Sequence, residues 1–509
     1  MHRLHFRARA LLLLLALAPP ASAQAQSALP DLSLEELMKL DSGQVFGASE
    51  RLQPVTEAPA SVSFVTGEEI ARYGYRTLAD VLRSVRGMYV TDDRNFSFIG
   101  TRGFGKPGDY NSRILLLVNG HRVNDNVFGQ AEIGAEFGLD PAMIERVEII
   151  RGPASSLYGD SAFFAVVNVI TKTGGSLGGG SIALEAGTLG TQLTRALRGR
   201  QMLTAGAEFI DNVRQDQDSH YEDPLIVLLE SNRSSTQHAV YAQDELQLSS
   251  WLILNGGLRY DAYEDFHRVS PRAALIAMPS PAQSIKYLFG EAFRAPNAYE
   301  RIAFYFGERV NRLRPESIDT HELVWERYTN DWLRTSVSSY WYKADRLITL
   351  VPDEDAFLGV TYVNQDQVRA RGLEFEAQMR LKWESQALVS YGLQKATDQA
   401  THAELPNSPR HIAKARISVP GPTDRSVVSI EARYLSSRGT LSGARVSPAA
   451  SVNVTMVQPL GRSWELIGAV RNLFDAPYAD PASGQHRQDT IPQNGRTARV
   501  GLRWNLWTK

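Results

Sequence analysis

No cysteine occurs anywhere in the 509 residues. A disulfide framework, a thiolate metal site and a cysteine nucleophile are therefore all excluded. Long apolar runs are missing too. Beyond residue 23 there is no stretch of 18 consecutive apolar residues, so no helix is expected to cross a bilayer. Nor is there an excess of one charge. Lys and Arg number 54 against 56 Asp and Glu, a formal net charge of −2, which leaves no basic footprint for nucleic acid. The ten histidines are scattered, two of them (His2 and His5) at the very start. These absences leave one class of membrane protein open, because barrel strands alternate and give only a weak hydropathy signal.

What is present begins with Arg3, Arg7 and Arg9, the apolar run 10–18, and Ala21-Ser22-Ala23. That order of charge, short apolar core and small-residue cleavage pattern reads as a secretory signal over 1–23. Its removal takes three positive charges and moves the formal net charge from −2 to −5. The remaining chain is long enough for more than one domain. Residues 24–56 read as a polar tail, in which Ser33 and Glu36 fit a capping box opening a one- or two-turn helix.

Residues 57–175 read as a compact α/β unit. Residues 62–66 alternate like a strand, while 68–73 and 77–85 have helical spacing, with Leu78, Val81 and Leu82 on one face. Residues 114–119 form an apolar run closed by Asn119-Gly120, a turn signal. Two further β-branched runs, 147–150 and 166–171, flank Arg151-Gly152-Pro153 and Tyr158-Gly159. The stretch 144–174, IERVEIIRGPASSLYGDSAFFAVVNVITKTG, resembles the end of the plug domain of TonB-dependent outer-membrane receptors, "IERIEVxRGPxSxLYG…VINIITK". EAPASVSFVTGEEI (57–70), the FSFIGTRGFG segment (96–105) and ILLLVNGHRV (114–123) resemble other plug motifs in the same order.

From residue 176 onward the pattern is period two. In 372–382, Leu373, Phe375, Ala377, Met379 and Leu381 alternate with Glu374, Glu376, Gln378, Arg380 and Lys382, and 252–261, 427–434 and 498–506 repeat the scheme. Long and short links between these strands alternate strictly. Links at 212–234, 295–316, 348–366, 397–407 and 475–493 are long, whereas those at 249–250, 330–331, 383–384 and 459–462 are short. This spacing is the layout of an outer-membrane barrel, with long loops outside and tight turns in the periplasm. The fold class expected is an all-β transmembrane antiparallel β-barrel over 176–509 with the α/β plug domain inside its lumen. About 16 strands are counted, where plugged lumens belong to 22. The shortfall lies at 199–201 and leaves a passive or degenerate pore open as an alternative. YAQDE (241–245), FRAP (293–296) and RNLFD (471–475) also resemble the receptor family.

The resemblance implies active uptake of a scarce, large solute, a ferric siderophore first, with cobalamin or haem as alternatives. A surface adhesin or a phage and colicin receptor would be compatible with it. It implies TonB and its inner-membrane motor as partners, outer-membrane lipid around a monomer, a metal-chelate ligand, and no resident cofactor, metal or enzyme chemistry. A TonB box is expected at Gln44, Val45, Phe46, Gly47 and Ala48, where a strand-forming segment could add to a partner's sheet edge. Ligand-facing candidates are Arg94, Asn95 and Phe96 on the plug, and Tyr299, Arg301, Phe304, Tyr305 and Phe306, with Arg309, in the loop after FRAP. Aromatics beside arginines suit an anionic, aromatic chelate through stacking and charge. Structural roles fall to Arg102, Gly103 and Phe104, and to Arg151, Gly152, Pro153, Tyr158 and Gly159. In the resembled family the two arginines pair with wall carboxylates, for which Glu374, Glu376 and Glu431 are available. Two near-motifs fail. Gly100–Lys106 starts like a phosphate loop but meets Pro107, and His321-Glu322 starts like a zinc-protease pair but meets Trp325.

Overall fold

The computed structural model describes residues 44–45, 47–49, 53–172, 188–197, 200–301, 313–329, 332–354, 359–423, 425–461 and 464–504. The signal segment and the Ser33–Glu36 helix lie outside these residues.

The plug is built on strands β1 (Ser61–Thr66), β2 (Met88–Asp92), β3 (Ser97–Thr101), β4 (Ile114–Val118), β5 (Ile144–Arg151) and β6 (Ala165–Thr171). Its helices are α1 (Gly67–Tyr73), α2 (Leu78–Ser84) and α3 (Ser155–Tyr158). Local chemistry sets these boundaries. Thr66 caps α1 through a reciprocal box: Glu69 N donates to Thr66 Oγ1 at 3.2 Å, and Thr66 N donates to Glu69 Oε2 at 2.9 Å. Gly74, at φ +62°, ends it in the left-handed conformation. The main sheet runs β1-β5-β6-β4 and closes on the short strand His121–Arg122; β4 and β6 are parallel, the other pairs antiparallel. β2 and β3 form a separate hairpin. Leu78, Val81 and Leu82 of α2 bury against Met88, Val147, Ile149 and Val167 in one core.

Among the described residues the wall is one sheet of fifteen strands, each hydrogen-bonded to the next in chain order and antiparallel. They are β7 (Thr188–Leu197), β8 (Gln201–Asn212), β9 (Ser235–Ser249), β10 (Leu252–Ala262), β11 (His267–Ser280), β12 (Gln283–Arg294), β13 (Glu316–Thr329), β14 (Leu333–Pro352), β15 (Val360–Arg380), β16 (Gln386–Asp398), β17 (His411–Pro420), β18 (Val427–Leu435), β19 (Ala449–Leu460), β20 (Trp464–Arg471) and β21 (Thr497–Trp504). Burial alternates as the sequence does. Glu374 and Glu376 are buried on the lumen side, while Leu373 and Phe375 are exposed on the other. No helix among the described residues is long and apolar enough to cross a membrane. Residues 173–187, where the expected barrel begins, lie outside the described residues.

Two expected loops carry more structure than the sequence suggests. The long link at 348–366 shrinks to 353–359, because Leu347–Pro352 stays paired with Val360–Asp366 across a bulge at Arg346. Residues 212–234 hold a hairpin of Gln217–Glu222 and Leu225–Ser231.

The plug leans on the wall through Tyr89, whose hydroxyl donates to Asn407 O at 2.6 Å. Gly100 and Gly105 both lie on this ring; a Cβ at Gly100 would fall 2.1 Å from Tyr89 Cζ. Gly100→Ala is therefore expected to destabilise the plug by about 1–3 kcal/mol. The check is protease resistance of the plug under increasing urea, with Gly138→Ala, which meets nothing within 4 Å, leaving it unchanged.

Candidate functional site

The long-loop side of the plug presents three turns to the wall. In the first, between β2 and β3, Asp93 accepts from the backbone N–H of Asn95 at 2.9 Å and Phe96 at 2.8 Å. This Asx turn lifts Arg94 to φ +81°. The Arg94 guanidinium donates to Asn494 Oδ1 at 2.5 Å and to Pro492 O, so it ties the plug to the loop before β21. Phe96 stays 40% exposed. In the second turn Lys106 reaches Thr349 Oγ1. Burial, and next the neighbouring Arg113, hold its ammonium pKa below that of an ordinary lysine.

The third turn is organised by Asp125, which accepts from the N–H groups of Val127, Phe128 and Gln130 at 2.9, 2.8 and 2.6 Å. It sets Phe128 between Tyr110 (centroids 5.4 Å apart) and Tyr299 (4.9 Å), and Tyr299 in turn meets Tyr362 at 6.1 Å. The row passes from plug to wall, and backbone bonds secure it: Tyr299 N donates to Val127 O at 3.1 Å, and Asn297 Nδ2 to Phe128 O at 2.6 Å. Burial, and next Tyr110, raise the Tyr299 phenol above its ordinary pKa, so it stays a neutral hydroxyl.

Of the other loop candidates, Arg301 pairs with Asp265 at 2.5 Å and lies over the Phe266 ring at 5.9 Å. Phe304, Tyr305, Phe306 and Arg309 lie outside the described residues. The arginine of FRAP is structural. Arg294 is 1% exposed and bridges Glu300 at 2.9 Å and Glu316 at 2.8 Å, while Arg113 of the plug grips Glu316 bidentately at 2.8 and 2.6 Å.

Deeper in the lumen the plug arginines converge on one wall carboxylate. Arg86, Arg151 and Arg102 approach Glu374 at 3.3, 3.4 and 3.7 Å, and Arg102 also donates to Glu322 at 2.5 Å. Arg102 covers the Tyr340 ring at 4.5 Å, and Arg151 donates to Ser61 Oγ at 2.9 Å. Left-handed backbone at Arg102 (φ +50°) and Gly103 (φ +86°) turns the chain so that Phe104 stacks on Phe164 at 4.8 Å. Gly152, also at positive φ, leaves room beside the Arg102 guanidinium, and Pro153 packs against Gly290 of β12. Glu376 and Glu431 play other parts: Glu376 faces Arg334 at 3.9 Å, and Glu431 accepts from Tyr75 at 2.8 Å and Asn453 at 3.0 Å.

In a second set of contacts only Arg471, the first residue of RNLFD, belongs to a sequence motif. Wall cations donate to plug backbone carbonyls: Arg259 to Leu157 O at 2.9 Å, Lys286 to Val55 O, Lys414 to Met88 O at 2.6 Å, and Arg471 to Gly74 O at 2.7 Å. Gly159, at φ +68°, is packed against the same Arg259.

The tail segment is folded against this assembly. Gln44–Val45 is a two-residue strand, Val45 is fully buried and Phe46 lies outside the described residues. Gly47 N donates to Glu148 Oε2 at 3.1 Å, Gly47 O accepts from the Tyr158 hydroxyl at 2.8 Å, and Ala48 O accepts from Arg272 at 3.1 Å. Within the expected TonB box, Gly47 and Ala48 thus lie in a buried turn, held by backbone partners on plug and wall rather than in an extended, solvated tail.

Neither near-motif assembles into a site. Gly100 lies within β3, and no helix follows Lys106 closely enough to cradle a phosphate. His321 stacks on Trp341 at 4.9 Å and bonds the Tyr287 hydroxyl at 2.7 Å on the outward face. Among the described residues no group of His, Asp or Glu could hold a metal ion.

A family profile described as TonB dependent receptor-like, beta-barrel, matches residues 65–473. The iron-regulated outer membrane virulence protein of Vibrio cholerae is 34% identical over 158 residues, 30% of this chain and 23% of that protein. The vitamin B12 transporter BtuB of Vibrio vulnificus is 35% identical over 140 residues, 27% of this chain and 22% of that protein. The chain thus spans less than a quarter of the length of either relative. The ferric yersiniabactin uptake receptor FyuA from Yersinia pestis superposes with a TM-score of 0.65 at 13% identity, covering 91% of this chain and 99% of that one.

Removing the shared carboxylate is expected to be costly, since it leaves buried guanidiniums without their partner. Glu374→Gln should lower the stability of the docked plug by about 3–5 kcal/mol. Glu465→Gln, which removes a part-exposed pair with Arg503, should change it by less than about 1 kcal/mol. Urea-dependent release of the plug to protease is the measurement.

Proposed function

The chain belongs to the TonB dependent receptor-like β-barrel family of outer-membrane proteins, and from that premise we propose that it is an energised receptor for active uptake of a scarce, large solute. The observation that carries the reading is the double anchorage of the tail. Gly47 and Ala48 bond to Glu148 and Tyr158 on the plug and to Arg272 on the wall. A pull on the tail therefore acts on both sides of the plug–wall interface at once. TonB and its inner-membrane motor supply that pull, engaging Gln44, Val45, Phe46, Gly47 and Ala48 as an added strand once the segment is freed.

The solute docks first on the outer aromatic row. Tyr110, Phe128, Tyr299 and Tyr362 offer faces for stacking, Lys106 lies in the adjoining plug turn, and Arg94, Asn95 and Phe96 form the neighbouring rim. Aromatic faces beside cations favour an anionic, aromatic metal chelate, so a ferric siderophore is the first substrate, with cobalamin and haem next. No bond in the solute is made or broken.

A second reading, a passive pore, is favoured by the fifteen described wall strands, since barrels of 16–18 strands normally enclose an open channel. Reconstitution in liposomes separates the two. The receptor reading expects negligible steady conductance with the plug intact and loss of uptake when residues 41–50 are deleted. A large, steady conductance, or uptake that survives the deletion, overturns it. For the outer site, Tyr299→Ala is expected to weaken chelate binding by at least ~10-fold, about 1.4 kcal/mol, in a titration on whole cells where surface expression is unchanged.

A further inference from the structure

Outward-facing positions of a membrane barrel should be apolar across the bilayer, and on β15 and β16 they are, up to one level. Leu373, Phe375, Val389, Tyr391 and Leu393 are all exposed on the outer face. Immediately above them, toward the long loops, the same face carries Arg369, Arg371 and Lys395, all exposed. Register sets them side by side. Arg371 pairs directly with Lys395 across the two strands, and Arg369 is the next outward residue on β15. With strands ~4.8 Å apart and same-face steps of ~6.8 Å, the three Cα positions fall within roughly 5–8 Å of one another. Among the described residues none of the three side chains has a hydrogen bond or an ion pair. The charged neighbour on β14, Lys343, is matched by Asp345 at 2.7 Å, but β15 and β16 present no outward acid between 367 and 379 or between 387 and 397.

The height of this group follows from the strands. Arg371 is nine residues above Arg380 and Lys395 nine above Gln386, where the short turn lies. At ~3.4 Å per residue and a tilt of ~40°, nine residues climb about 23 Å, the upper edge of a lipid-facing band about 25 Å tall. An independent marker agrees. His321 pairs with Trp341 and Trp341 with Arg371, so at that tilt the stacked His321–Trp341 rings lie within about 6 Å of the height of Arg371. Tyr391, bonded to His411 at 2.7 Å, stands about 10 Å below Lys395, within the apolar band. Aromatic rings such as that of Trp341 mark the headgroup level. Like charges crowded at that level repel unless an anion lies between them, and their spacing over two strands suits more than one phosphate.

We propose that Arg369, Arg371 and Lys395 form a binding site for the phosphorylated headgroup of an outer-leaflet glycolipid. The site depends only on the barrel's place in the outer membrane and not on what the receptor transports. The test is native mass spectrometry of the full chain in mild detergent, offered equal concentrations of a bis-phosphorylated glycolipid, its dephosphorylated form and phosphatidylglycerol. The wild-type protein should retain the phosphorylated glycolipid at least ~10-fold over either other lipid. R369Q/R371Q/K395Q should lose that preference, whereas R369K/R371K/K395R, and R327Q/K382Q at the short-turn end, should keep it. Heat-modifiable gel mobility reports whether each barrel is folded. Equal retention of the three lipids by the wild-type protein overturns the proposal whatever the variants yield. An undiminished preference in folded R369Q/R371Q/K395Q overturns it as well.

Discussion

Glu374 is the point on which plug and wall depend together. Its carboxylate is buried, and the guanidiniums around it come from three separate parts of the plug: Arg86 after α2, Arg102 after β3 and Arg151 at the end of β5. Taking such charges out of water costs several kcal/mol per ion, which is recovered only when the partners meet in good geometry. A plug with any of the three segments out of place leaves a charge stranded. The cluster therefore acts less as glue than as a test of register, passed only by a folded plug seated at one height and one rotation in the lumen. Glu322, which takes up Arg102, and Glu316, which takes up Arg113, extend the same requirement toward the long-loop side.

Much of this architecture could be read from the chain because its signals are local. Thr66, Glu69 and Gly74 bracket α1 through bonds spanning a few residues, and the alternation at 372–382 separates Glu374 and Glu376 from Leu373 and Phe375 without reference to any partner. Arg102 and Arg151 could be singled out by their motifs, but their partners could not. Pairing with a wall residue more than two hundred positions away depends on strand register, which no local pattern encodes. The same reason hid Arg86 and the capping of plug carbonyls by Arg259, Lys286 and Lys414, since one alternating basic residue looks like another until the lumen closes around it; Arg471 lay in the RNLFD motif, but its partner was hidden likewise.

The outer site shows where type-based selection of residues succeeds and fails. Tyr299 stood out because it lies in an aromatic-rich loop. Tyr110, Phe128 and Tyr362 did not, since each is isolated in sequence and joins the row only through the Asp125 turn and the extended pairing of β14 with β15. Arg301 attracted notice for its charge, yet Asp265 neutralises it. Composition locates a surface, and hydrogen bonding decides which of its side chains remain available to a ligand.

β14 and β15 have 20 and 21 residues. At ~3.4 Å per residue and ~40° of tilt they climb about 50 Å, twice the height of the lipid-facing band. β10 and β11, with 11 and 14 residues, are far shorter. The rim of the mouth is accordingly a slope. On its high side the two long strands, paired along nearly their whole length, form a parapet above the membrane. A large solute therefore meets a lower wall over β10 and β11, four strands round the sheet from the parapet.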